Sequence, residues 1–170
     1  ALEPATASVV HSACNLSPDC LVFDLSNACL GFLNGMMVAS SMIELGQIKT
    51  ALIVTGENSG PIYPQTIDSL KSNPTEQNFR DSLASLTLGS GAVAYILRHK
   101  DISQSSHQLL GGITQADSKY HDLCEGTGDR NHLTMRTDTA NLLRHGLALS
   151  QVSWEIFKRS FDWTNETADH

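Results

Sequence analysis

The chain has 170 residues, enough for one compact domain with a core and short for two. Its 41% hydrophobic and 17% charged content is that of an ordinary soluble globular protein. A net charge of -7 with no run of Lys or Arg excludes a nucleic-acid footprint, and no segment approaches the ~20 continuous apolar residues of a membrane span.

In chain order, Pro4 precedes a short helix over Ala5 to Ala13, with Val9 and Val10 inward. A turn over Asn15 to Asp19 follows. Cys20-Leu21-Val22-Phe23 is a short apolar run that reads as a buried strand. Ala28 to Leu45 is apolar nearly all round and reads as a buried helix closed at Gly46. Thr50 to Thr55 is a second apolar strand, and two strands joined by a helix predict a right-handed parallel crossover. Glu57 lies just past this strand's carboxyl end, where open α/β sheets place functional groups.

Residues 60–85 turn polar, with helical patterns at Gln65 to Lys71 and Thr75 to Leu83. Thr87 to Gly91 is a glycine turn into a strand over Ala92 to Leu97. A weaker strand is expected over Gln108 to Thr114, a loop over Ala116 to Arg136 and a polar tail over Trp163 to His170. Between them, Thr137 to Phe161 is an amphipathic helix whose Leu142, Leu143, Leu147, Val152, Ile156, Phe157 and Phe161 should face the sheet.

The strand-turn-helix around Asp24-Leu25-Ser26-Asn27-Ala28-Cys29 sets Cys29 in the first turn of a helix, with Ser26 or Asn27 as its cap. Free backbone N–H groups and the helix dipole there favour thiolate, the nucleophilic form, and can hold an oxyanion. An unpaired cysteine also serves as a small buried hydrophobe, and placement alone does not choose between the two. The other cysteines, at 14, 20 and 124, complete neither a C-x-x-C pair nor a zinc spacing, which suits a reducing cytoplasm. The N-terminus carries no signal-peptide pattern. None of the seven histidines, at 11, 99, 107, 121, 132, 145 and 170, sits in a motif aimed at Cys29, so a cysteine hydrolase ranks last.

Phe23 to Phe32 resembles the active-site cysteine motif of the 3-oxoacyl-acyl-carrier-protein synthase III group of the thiolase superfamily. Gly46 to Thr55 resembles its next strand and Leu86 to Leu97 its glycine turn and strand. His132 to Met135 resembles the entry to its long linking helix. Within the group, Asn78 to Leu86 and Leu2 to Ser8 are similar to the insertion and the intersubunit segment of the long-chain olefin synthesis condensing enzymes.

The resemblance implies an α/β, thiolase-like layered αβα fold, mostly parallel, with a buried nucleophile helix. It also implies that residues 1–170 form a single partial domain, one half of a duplicated fold, with the second half absent. It makes Cys29 the nucleophile that accepts an acyl group from acyl-CoA or acyl-ACP before a Claisen condensation. Glu3 becomes a base serving the other subunit of a homodimer, or else simply an acid favouring a helix N-terminus. No cofactor or metal is expected, the thioester being substrate, and the expected setting is cytoplasmic. The competing reading is a non-catalytic half-domain held by a partner.

Overall fold

In a computed structural model the described residues are 3–128 and 133–167. They form α1 (Thr6–Ala13), α2 (Gly31–Glu44), β1 (Thr50–Glu57), α3 (Ile62–Ser72), α4 (Glu76–Ser82), β2 (Gly91–Arg98), β3 (Cys124–Gly128), β4 (Leu133–Thr137) and α5 (Thr139–Phe161). Two compact units result. One holds residues 1–56 and 92–110, the other residues 57–91 and 111–170.

In the first unit β1 pairs with β2. The His99 N–H donates to the Lys49 carbonyl, and Gly56 stands beside Ala92, so the start of one strand lies against the end of the other and the pair is antiparallel. α2 lies on this ribbon. A Cβ at Gly35 would come within 3.2 Å of the Ile53 side chain, so glycine sets how closely helix and strand approach. The Phe32 ring meets Tyr95 of β2 at 5.5 Å.

Several expectations are corrected here. Cys20 to Phe23 is irregular and belongs to neither sheet, because an apolar run becomes a strand only where a neighbour completes its ladder. The predicted parallel crossover is therefore not formed within the described residues. The helix read as buried all round buries only Ala39 and Ile43, and Leu33 is 56% exposed. β1 alternates, with Leu52 and Val54 exposed and Ile53 turned toward α2, because this chain covers one face only. On α1, Val10 is half-buried and Val9 exposed.

In the second unit β3 and β4 form an antiparallel hairpin in which Cys124 faces Thr137 and Gly126 faces Met135. α3 and α4 pack against β4. Just past α4, Ser85, fully buried, donates to the Met135 carbonyl at 3.2 Å, and within the hairpin Thr137 is 2% exposed beside the Cys124 sulfur. The N-cap Thr75 accepts from the Asn78 N–H and starts α4.

Gln108 to Thr114 forms no strand. Gly111 takes φ 139, and its Cα packs under the Phe161 ring, where a Cβ would meet the ring at 3.1 Å. On α5, Ile156, Phe157 and Phe161 are half-buried, whereas Leu142, Leu143, Leu147 and Val152 are exposed, so only the distal part of the predicted stripe is covered.

Asp138 caps α5. One carboxylate oxygen accepts the Asn141 backbone N–H at 3.1 Å and the other its side-chain amide at 2.6 Å. The Asn141 side chain, then its backbone N–H, hold the Asp138 carboxyl below the ordinary value of 3.8. A depressed folded-state pKa contributes stability that is present above the unfolded value and lost as pH falls through the folded one. Asp138→Ala is therefore expected to lower the melting temperature at neutral pH, with the gap to wild type closing as pH falls below the ordinary value of 3.8. Thermal scans across that interval check it.

Candidate active site around Cys29

Cys29 lies in a single 3-10 turn, Ala28–Leu30, that runs directly into α2. The turn is abrupt: Asn27 has φ -153 and ψ 56, and Ala28 has φ 42, in the left-handed region that side chains other than glycine rarely occupy. Such strain persists only where surroundings hold it. Here the Asn27 amide donates to Asn34 Oδ1 on α2, and the Leu30 N–H donates to the Asn27 carbonyl at 2.9 Å.

The expected cap is corrected. Neither Ser26 nor Asn27 accepts a helix N–H, since Asn27 directs its side chain to Asn34 instead. The expected set of free N–H groups is also smaller, because those of Leu30 and Gly31 are bonded to the Asn27 and Ala28 carbonyls. Cys29 itself is exposed and unpaired, as are Cys14, Cys20 and Cys124. It stands just ahead of the N-terminal end of α2.

Because Ala28 is already strained, a β-branched residue there should be worse. Ala28→Val is expected to cost about 1–3 kcal/mol of stability, and Ala28→Gly to stay within about 0.5 kcal/mol of wild type. Chemical denaturation of the full-length protein measures both.

Glu3 is exposed ahead of α1, and no hydrogen bond among the described residues links it to Cys29. What joins the two segments is Asp24, whose role the sequence did not reveal. Its carboxylate accepts the Thr6 N–H at 2.8 Å and the Ala7 N–H at 2.7 Å, capping α1 from the cysteine loop. These two bonds, that from Ala7 the stronger, hold its carboxyl below the ordinary aspartate range. A cap supplied from a distant segment has no local spacing to reveal it.

The histidines of the same unit have partners of their own. The His11 ring bonds the Ser17 carbonyl at 2.9 Å and the His99 ring stands 3.4 Å from Asp101, while His107 donates only its backbone N–H, to Ser105 Oγ. In the other unit His145 stacks on Tyr120 at 3.7 Å. His132 and His170 lie outside the described residues. Glu57 ends β1 and is exposed. An open groove along α5, lined by Ile113, Leu149, Trp154 and Phe157, contains no titratable side chain. Among the described residues no cluster of His, Cys, Asp or Glu could hold a metal ion, and no helix is long and apolar enough to cross a membrane.

Residues 23–118, more than half of the chain, match the family described as 3-Oxoacyl-[acyl-carrier-protein (ACP)] synthase III. Over 99% of its length the chain is 39% identical to the acyl-CoA:acyl-CoA alkyltransferase of Xanthomonas campestris pv. campestris, covering 49% of that protein. It is 41% identical over 98% of its length to the acyl-CoA:acyl-CoA alkyltransferase of Shewanella oneidensis, covering 50% of it. A beta-ketoacyl-[acyl-carrier-protein] synthase III of Rhodospirillum rubrum is 29% identical over 78% of the chain, which covers 39% of it. The structure of Xanthomonas campestris OleA with bound lauric acid and lauroyl-CoA superposes with a TM-score of 0.91 at 37% identity, over 100% of this chain and 50% of that one. The chain thus spans about half the length of the curated relatives it matches. Its fold is the thiolase-like one expected, in one of its halves. On the match through the cysteine loop, β1 and β2, the chain belongs to the 3-oxoacyl-[acyl-carrier-protein] synthase III family.

Proposed function

We propose that the full-length protein is a condensing acyltransferase in which Cys29 carries the acyl group. The Cys29 thiolate attacks the carbonyl of an acyl-CoA or acyl-ACP thioester, a new carbon–sulfur bond forms, and the carrier leaves as its thiol after taking up a proton. A base then removes a proton from the α-carbon of a second acyl thioester. The resulting carbanion attacks the acyl-enzyme carbonyl, Cys29 leaves as thiolate, and a 3-oxoacyl thioester is released. Thioester activation and general-base catalysis supply the chemistry, so the reading needs no cofactor.

The observation that carries this reading is the position of Cys29 in a strained turn at the start of α2, inside the matched segment. Solved structures of Xanthomonas campestris OleA support the finer assignment, because they include variants replaced at one cysteine and at one glutamate. Those two residues stand as far apart along that chain as Cys29 and Glu3 do here. Glu3 is accordingly the base, offered to the neighbouring subunit of a homodimer, and the condensation proceeds without decarboxylation.

The test is to treat full-length protein with lauroyl-CoA and locate the adduct by peptide mass spectrometry. A lauroyl thioester on the peptide containing Cys29 is the expected result, and a fully folded protein without that adduct overturns the reading. A second reading, a non-catalytic half-domain held by a partner, draws on the exposed apolar faces of α2 and β1. It predicts no adduct at all.

A further inference from the structure

α1 has no cap from its own sequence: Ala5 at the N-cap position offers no side-chain acceptor. The two N–H groups that open the helix, of Thr6 and Ala7, are instead gripped one by each oxygen of Asp24. Asp24 begins the loop that ends at Cys29, and this loop is secured at its other end too. The Asn27 amide is bonded to Asn34 on α2, and the Leu25 carbonyl stands 3.5 Å from where a Cβ on Gly31 would lie. Glu3, Pro4 and Ala5 immediately precede the gripped amides. Asp24 is thus the joint between the segment bearing Glu3 and the loop bearing Cys29, tied on one side to α1 and through the loop to α2.

We infer that Asp24 is a positioning residue for the condensation step: it fixes the direction in which the Glu3 segment leaves its own subunit, relative to the loop that carries Cys29. The inference rests on the acyl-enzyme reading above and adds to it a residue that touches no substrate. A carboxylate suits this joint because it presents two acceptors to two adjacent N–H donors. The asparagine amide, of nearly the same size, offers one acceptor and turns its NH2 against the second donor. Loading of Cys29 draws on the turn held by Asn27 and Asn34, whereas proton abstraction by Glu3 needs the segment ahead of α1 aimed correctly. A loss at this joint therefore falls on condensation.

The experiment uses full-length wild type, Asp24→Asn, Thr6→Pro, Glu3→Gln and the Asp24→Asn/Glu3→Gln double variant, each with lauroyl-CoA. Acyl loading is followed by intact mass, and condensation by 3-oxoacyl product. Thr6→Pro approaches the joint from the other side, deleting one gripped N–H at the first helical position, where proline is tolerated and the fold is expected to hold.

Asp24→Asn and Thr6→Pro are expected to load within about threefold of wild type. Their condensation kcat is expected to fall at least about tenfold, with KM changed by less than about threefold. The double variant should be no slower than Glu3→Gln alone, because a joint that acts through Glu3 has nothing left to position. Multiplying losses in the double variant, loading that falls in step with condensation, or wild-type condensation in both single variants each overturns the inference. Failure of wild type itself to load at Cys29 is a separate result: it overturns the acyl-enzyme reading, and this inference with it.

Discussion

Cys29→Ala in the full-length protein is expected to remove the acyl adduct altogether and to lower condensation by at least about 10³-fold. The size follows from the role proposed for the sulfur. It forms the bond that holds the first acyl group and is the leaving group when the second carbon attacks, so no neighbouring side chain can share its work. Cys29→Ser separates geometry from acidity. The hydroxyl occupies the same strained turn, yet a hydroxyl is a far weaker acid and nucleophile than a thiol. Loading should slow by orders of magnitude while acyl-CoA still binds. Rapid-quench mass spectrometry reads loading and equilibrium binding reads the rest. Wild-type loading rates in either variant would move the acyl group to another residue, Cys20 and Cys14 being the exposed thiols of the same unit.

The parts of this chain that were legible are those whose cause is local. Gly46 takes φ 72 at the end of α2, as a glycine just past a helical run should. The Gly91–Arg98 strand follows its glycine turn, and α5 begins and ends within two residues of its apolar periodicity. The parts that were not legible have causes elsewhere in the molecule. Cys20 to Phe23 has the composition of a strand, but composition does not supply a neighbour.

The β3–β4 hairpin reads as loop in the sequence because its two strands are short, with few apolar residues, and β3 contains two glycines. Their pairing is marked by Arg136 reaching Glu125 at 2.9 Å, a cross-strand contact that sequence order hides. Leu133 to Met135, which resemble the entry to a long helix, belong to β4, and α5 begins at Thr139. At the candidate site, Cys29 could be singled out from a strand-turn-helix pattern even though the strand does not form in this chain. Asp24 could not, because its partners Thr6 and Ala7 belong to a different helix.

Glu3→Gln is expected to leave Cys29 loading near the wild-type rate and to slow condensation by about 10²–10⁴-fold, the range over which a positioned general base acts. The amide keeps the size of the side chain and cannot take the α-proton. Equal loss in loading and condensation would mean that Glu3 acts on the thiol, and no loss in either would return it to the plainer role of an acid near a helix N-terminus.

Mixing variants then decides which subunit Glu3 serves. In a symmetric dimer that exchanges subunits, a Cys29→Ala chain retains Glu3 and a Glu3→Gln chain retains Cys29. If Glu3 reaches across, each mixed dimer contains one complete site, and since half of the dimers are mixed, activity recovers to about a quarter of wild type. If Glu3 serves its own cysteine, no mixed dimer has a complete site and activity stays at the level of the separate variants. Recovery in this assay would make the strap through Asp24 a connection between two active sites, because the loop holding one subunit's nucleophile would also aim the base used by the other.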